Sequence, residues 1–271
     1  MTRQNASQQA SSWDSRAAAY EESNAATSDT YARQALNIVG VTPGQKVLDV
    51  AAGPGYFSIL AAQAGADVLA VDFAQGMVDY LREKVRRLDV ENLRVEVMDG
   101  QDLKLEDDSF DIAYSSLGIM LFPDRAAGMR EFCRVLKPGG LGAIVAFTGL
   151  EGHGTYRLVL DALEMTKPDF ERVVPDPRFS LTDPDIFRTE MLTAGFSRVN
   201  MFTVRIVQTF DSPETFWPLL TDSPAIAHVF NDMTEDQVQA FGDIFAELVR
   251  SRQGDGPYGT ENEVRIAVGV K

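Results

Sequence analysis

The chain has 271 residues, enough for one substantial domain, or a domain with an appended lid, around a large buried core. Hydrophobic residues make up 45% and charged residues 24%, and no uninterrupted apolar run approaches the roughly 20 residues that cross a bilayer, so a soluble globular protein is expected. Acidic residues outnumber basic ones 40 to 25, and the net charge of -15 sets up a field that repels nucleic acid and anionic membranes.

Residues 1–12 are rich in Ser, Gln and Ala, with neither the apolar stretch of a secretory signal nor the arginines of a transit peptide, so the cytoplasm is the expected location. Residues 29–40 carry an acidic starter, Tyr31, Ala35 and Ile38 at helical spacing, and a terminal glycine, which predicts a helix. After the turn Thr42-Pro43-Gly44, Lys46-Val47-Leu48-Asp49-Val50 reads as a strand too apolar to sit at a surface. Helix, strand and helix then follow over 56–65, over 66–71, and along the face of Met77, Leu81 and Leu88. Leu93, Val95 and Val97 alternate as a third strand, and 110–115 form a fourth. Met129, Phe132 and Leu136 mark a helix closed by Lys137-Pro138-Gly139-Gly140, and 141–147 form a fifth strand. Cys133, the only cysteine, falls on that helix's apolar face; one cysteine excludes an intrachain disulfide or a cysteine-rich metal site, and no metal is expected.

Beyond Thr148 the rhythm changes. A helix is expected over 155–165, a proline-punctuated stretch over 168–184, and a helix ending at Ala194-Gly195. Residues 197–210 read as a sixth strand, and Val264, Ile266, Val268 and Val270 alternate as a seventh. Between them lies a helical insertion whose last helix opens with Thr234 and Gln237, a capping box, and carries Val238, Phe241, Phe245 and Leu248 on one face. Alternating strands and helices with short connections imply an α/β, Rossmann-like, doubly wound sheet that binds ligands at the carboxyl ends of its strands.

The segment Leu48-Asp49-Val50-Ala51-Ala52-Gly53-Pro54-Gly55 leaves a buried strand and opens a helix, and its glycines let backbone approach a ligand closely. A dinucleotide fingerprint would add a third glycine near position 58, where Ser58 stands, so an NAD-dependent oxidoreductase is disfavoured. Asp72 ends the second strand 23 residues after Asp49, where a carboxylate can accept bonds from both ribose hydroxyls. It can equally cap the helix that follows. Phe73 and Met77 offer apolar surface to an adenine ring or serve as core.

The segments VLDVAAGPG, AVDFAQGMVDYLREK, VMDGQDLKLEDDSFDIAYSSLGIMLFPD and EFCRVLKPGG, in this order, resemble the class I S-adenosylmethionine-dependent methyltransferases. The likeness is to the group of ubiquinone and menaquinone biosynthesis enzymes. It implies a seven-stranded sheet, mostly parallel with an antiparallel last strand. It also implies that Asp49, Ala51, Gly53 and Gly55 shape the methionine pocket, and that Asp72 holds the ribose. Asp99 would face the adenine amine, Gly100 and Gln101 would contribute backbone contacts, and Ser115 would lie beside the methionine moiety. Tyr20, in WDSRAAAY, would close over the carboxylate. The expected organisation is a closing segment over 1–28, a core over 29–210 and 257–271, and a helical lid over 211–256. Ala51 replaces a more frequent glycine, and Met120 stands where many relatives carry histidine, which removes an obvious base.

Methyl transfer from a sulfonium is an in-line displacement, promoted mainly by positioning and exclusion of water. The expected function is transfer of a methyl group from S-adenosylmethionine, leaving S-adenosylhomocysteine, to an O, N or S atom of a small, partly apolar molecule. The alternatives are C-methylation of a quinone-like ring and a non-catalytic S-adenosylmethionine-binding protein. His153, in Gly152-His153-Gly154 after the fifth strand, is the candidate base; His228, Tyr156 and Tyr114 are weaker ones. The aromatic set Phe202, Phe210, Phe216, Trp217 and Phe230 suggests an apolar lid over the acceptor, or glue fixing the insertion to the sheet.

Overall fold

The computed structural model describes residues 9–14, 17–167, 169, 177–222, 230 and 233–271. In chain order the elements are α1 (Ser11–Asp14), α2 (Ala17–Val39), β1 (Lys46–Val50), α3 (Tyr56–Gln63), β2 (Asp67–Asp72), α4 (Gln75–Arg87) and β3 (Leu93–Val97). There follow β4 (Phe110–Ser116), α5 (Arg125–Arg134), β5 (Leu136–Phe147), α6 (Gly154–Thr166), α7 (Pro184–Thr193), β6 (Arg198–Phe210), α8 (Pro213–Asp222), α9 (Glu235–Gln253) and β7 (Tyr258–Val270).

The strands form one seven-stranded sheet in the order β3-β2-β1-β4-β5-β7-β6. β1 to β5 run parallel, and β7 lies antiparallel between β5 and β6. Side chains alternate along each strand, so Val47, Val68, Ile112 and Val145 face a core built with α2, α3 and α4. Leu48, Leu69, Ala113 and Ile144 face the opposite core, built with α5 and α7. Helices on both faces explain why the central strands are mostly apolar rather than alternating. Strand order reverses between β1 and β4, and the crevice at their carboxyl ends is where such sheets bind ligands.

Several boundaries differ from the sequence expectation. α2 starts at Ala17 and runs unbroken through residue 28, because Ala17, Thr27, Tyr31, Ala32 and Ala35 make a buried stripe whose small and polar members escape a hydrophobicity pattern. Leu136 belongs to β5 rather than to the preceding helix. The helix ends at Arg134, Leu136 pairs with Phe110, and a register irregularity in β4 opposite lets the Lys-Pro-Gly-Gly turn bulge within the strand. β7 begins at Tyr258, before the alternating valines. Its polar first half is held by β6 and by α6, where Thr260 Oγ1 lies 2.6 Å from Thr155 Oγ1 and Asn262 Nδ2 donates to Gln208.

α6, α8 and α9 share a third core of Leu158, Phe216, Phe241, Phe245 and Val249. The Thr234–Gln237 capping box starts α9, and Asp183 caps α7 ahead of a proline. Among the described residues no helix is long and apolar enough to cross a membrane. His228 lies outside the described residues.

Candidate active site

The turn after β1 is held by two backbone hydrogen bonds. Ala52 N donates to Val71 O at 3.0 Å and Gly55 N to Ala52 O at 2.9 Å, which folds the chain back onto the sheet edge before α3 starts. Gly55 caps α3 with φ 76°, and a Cβ there would stand 2.3 Å from a buried Leu81 methyl, so this position needs glycine for conformation and for close packing of α4. Ala51 takes φ 56°, an uncommon conformation for a residue with a side chain. Its methyl group fits because Gly118 lies opposite; a Cβ on Gly118 would come within 2.5 Å of it.

Asp72 organises the same turn. One carboxylate oxygen accepts from Gly53 N at 2.9 Å, the other from Ala74 N at 3.0 Å. Asp72 thus supports the turn without capping α4, whose cap position is Ala74 and carries no side-chain cap bond; the remaining lone pairs of the two Asp72 oxygens suit vicinal hydroxyls. Asp49 is buried and accepts from Ser58 Oγ at 2.5 Å. Burial pushes its carboxyl from 3.8 up to about 7, with the nearby Asp72 adding to the rise and Ser58 opposing it. Asp72 shifts upward too, mainly through burial, against the backbone donors from Ala74, Gly53 and Phe73.

A cavity of about 270 Å³ opens in front of these groups. Tyr20, Asp49, Ala51, Gly53, Asp72, Phe73, Met77, Asp99, Gly100 and Gln101 line it. Gly55 and Ser115 stand outside that lining. Gly55 acts through packing, and Ser115 is fully buried behind the wall, while Ser116 and Leu117 face the cavity. Asp99 is exposed, and one of its oxygens accepts from the Gln101 backbone at 2.9 Å and side-chain amide at 3.1 Å. Phe122, Leu121 and Met98 also line the cavity, and Phe122 fills the space over Gly100 and Gly128 where Cβ atoms would stand. Their signal in the sequence, the run Leu121-Phe122-Pro123 after the fourth strand, has no hydrophobic period to mark it.

The N-terminal helices form the outer wall. Trp13 and Tyr20 meet edge to face at 5.6 Å, and Asp14 accepts from Gly76 N at the start of α4. Glu21 reaches from α2 to accept from Tyr56, Tyr80 and Lys84, and Lys84 also donates to Pro54 O in the turn. Burial would raise the Glu21 carboxyl, but the bonds from Lys84 and Tyr80 and the lysine charge outweigh it and hold it below its ordinary range.

A second cavity of about 110 Å³ shares Trp13, Tyr20, Leu117 and Leu121 with the first. Its own walls include Met120, Phe147, His153, Tyr156, Arg178, Phe179, Phe216 and Leu220. His153 caps α6: Nδ1 accepts from Tyr156 N at 3.2 Å, which places the ring proton on Nε2. Burial and the Arg178 charge lower its pKa to about 4. The neutral ring therefore donates from Nε2, and its one acceptor nitrogen is engaged by backbone. Of the aromatic set in and around the insertion, Phe216 faces this cavity, and Phe210 stacks on it at 4.3 Å. Trp217 and Phe230 pack on Phe241, and Phe202 is an exposed residue of β6.

The switch-point crevice, the Asp49 and Asp72 carboxylates and the glycine turn fit a cationic adenosyl ligand, and they define a class I S-adenosylmethionine-dependent methyltransferase, the family to which this chain belongs. A family described as a methyltransferase domain matches residues 47–140. The chain is similar, at 30% identity over 69% of its length and 76% of the relative's, to a demethylmenaquinone methyltransferase from Corynebacterium kroppenstedtii. Other curated relatives are spanned over less: an uncharacterised protein from Mycobacterium bovis matches over 39% of its own length. In fold the chain resembles a methyltransferase from Haemonchus contortus, phosphoethanolamine N-methyltransferase 2, solved with S-adenosyl-L-methionine. That likeness has TM-score 0.57 and 19% identity, over 95% of this chain and 57% of the other. The protein is an enzyme whose cofactor is S-adenosylmethionine.

Proposed function

We propose that the chain methylates a small, largely apolar, ring-containing molecule held in the second cavity. The observation that carries this reading is that the two cavities adjoin, with Trp13, Tyr20, Leu117 and Leu121 in the walls of both. The first cavity, ending at two carboxylates, suits the cofactor; the second, with aromatic walls, suits an apolar ring. In this reading Asp72 accepts the ribose hydroxyls, Phe73 and Met77 flank the adenine, and Asp99 with the Gly100 and Gln101 backbone meets its polar edge. Asp49, Ala51 and Gly53 surround the methionine moiety, with Ser116 taking the contact expected of Ser115. Tyr20 closes the junction.

Bound S-adenosylmethionine supplies an electrophilic methyl group on a sulfonium. The chain's part is positioning: the glycine turn sets the cofactor depth, α1 and α2 exclude water, and α8 lids the acceptor through Phe216 and Leu220. His153 serves no base role, because its acceptor nitrogen is spent on the α6 cap. A second reading, methylation of a ring carbon in a quinol-like acceptor, is supported by the 30% identity to a demethylmenaquinone methyltransferase.

The test is S-adenosylhomocysteine formation with a panel of phenols, thiols, amines and quinols, alongside cofactor binding by titration calorimetry. Phe216→Ala should raise KM for an active apolar acceptor about tenfold or more, as loss of a buried aromatic wall predicts, and leave cofactor affinity within about twofold. Equal loss of both affinities in a folded variant would refute the division into two cavities. Residues 211–256 are a poor target for deletion, since α9 buries the apolar face of α6.

A further inference from the structure

We propose that Gln101 is a positioning residue for nucleobase recognition. Its side-chain amide holds the Asp99 carboxylate in a fixed plane with one oxygen left to accept from an exocyclic amine, which makes the site selective for adenine over its deaminated form, hypoxanthine. This rests on the first cavity holding the adenosyl group with Asp99 at its polar edge.

Asp99 leaves β3 beside Asp72: Met98 N donates to Asp72 O at 2.9 Å, and both carboxylates line the first cavity. Asp99 is exposed, so burial does not fix its side chain. Gln101 does. Its backbone N donates to Asp99 Oδ1 at 2.9 Å and its Nε2 to the same oxygen at 3.1 Å, with Oδ2 3.4 Å from that nitrogen. Among the described residues, every hydrogen bond to this carboxylate comes from Gln101. Oδ1 is thereby occupied by two close donors, whereas Oδ2 keeps lone pairs for a ligand.

The far end of the amide is anchored as well. Gln101 Oε1 accepts from Asp124 N at 2.7 Å, and Asp124 Oδ1 accepts from Ala127 N at 2.8 Å to start α5. A backbone N–H only donates, so the amide oxygen faces Asp124 and the amide nitrogen faces Asp99. Phe122 packs the same junction, where a Cβ on Gly100 would meet its ring at 2.6 Å. The position asks for a donor and an acceptor on one planar group, which glutamine supplies and an ionised glutamate, a lysine or a methionine does not.

A fixed carboxylate oxygen accepts from the adenine amine. Hypoxanthine presents a carbonyl oxygen at the same place, which forfeits that bond and meets the carboxylate charge. A carboxylate free to turn away loses part of the bond to adenine and relieves the repulsion from hypoxanthine.

The test is titration calorimetry of S-adenosylhomocysteine and of S-inosylhomocysteine, its deaminated analogue, with the wild type, Gln101→Met and Gln101→Ala. Methionine keeps the length of the side chain and removes both hydrogen bonds of the amide. The wild type should favour the adenosyl ligand at least about tenfold. In both variants that ratio should shrink about threefold or more, with circular dichroism unchanged. A merely structural role would weaken both ligands alike and leave the ratio standing. A ratio that shrinks by less than about threefold in either variant overturns the role of Gln101 and leaves Asp99 at the adenine amine. A smaller wild-type ratio removes Asp99 from the amine and overturns both.

Discussion

Protonation of Asp49 should couple cofactor binding to pH. Asp49 lines the first cavity, and its carboxyl has a pKa pushed up from 3.8 to about 7, burial being the main cause. Three units at about 1.4 kcal/mol each make about 4 kcal/mol held against the ionised form in the ligand-free protein. The folded pKa lies above the unfolded one, so the stability tied to the protonated carboxyl is full below about pH 4 and lost as pH rises through about 7. A sulfonium and an ammonium in the adjoining cavity reverse that preference and draw the carboxylate into its charged form. Affinity for S-adenosylmethionine should therefore rise up to about tenfold per pH unit below about pH 7 and level off above it. Calorimetry at about pH 6, in buffers of different ionisation enthalpy, should show release of most of one proton per cofactor bound. Asp72 shifts in the same direction, so Asp49→Asn separates the two carboxyls: the variant should bind more weakly and lose most of the pH slope. A flat wild-type profile between about pH 5.5 and 8, or an unchanged slope in the variant, would refute the coupling.

Three further outcomes test the architecture. Asp72→Ala removes the acceptor shared by Gly53 N and Ala74 N, and at about 1.5–3 kcal/mol for a charged hydrogen bond should lower cofactor affinity at least about tenfold. Calorimetry checks this, with the far-ultraviolet spectrum as control. Gly55→Ala puts a Cβ against Leu81 at a left-handed φ and should destabilise the fold by about 2–4 kcal/mol in urea unfolding. Leu81→Ala in the same chain should recover the steric part of the loss. Glu21→Gln weakens the clasp from α2 to Tyr80 and Lys84, and should raise the cofactor dissociation rate about three- to tenfold in stopped-flow measurements. Because this carboxyl lies below its ordinary value, the clasp is intact above about pH 4.5 and weakens as pH falls through the folded value.

Local pattern was enough for the centre of the molecule. Val47, Leu48 and Val50 are apolar because helices cover both faces of β1, and the glycine turn follows at once, so strand, turn and helix announce themselves within about a dozen residues. Asp72 is legible for a similar reason: a carboxylate at the end of a buried strand has few roles other than cap or ligand holder. Ser115 is fully buried while Ser116 lines the first cavity, since alternation along β4 decides which serine faces it, and the phase of that alternation is set by sheet pairing.

The sequence alone determined the alternating fold and much of the first cavity's wall, because both depend on short-range periodicity and on residues a few positions apart. Tertiary structure alone decided the second cavity. Arg178 and Phe216 come to the second cavity from segments with no shared period, and the polar half of β7 is a strand because β6 and α6 satisfy its hydrogen bonds. His153 looked like a base from its place after the fifth strand. In the structure its Nδ1 accepts from the Tyr156 backbone N–H at 3.2 Å, a contact that no local pattern announces.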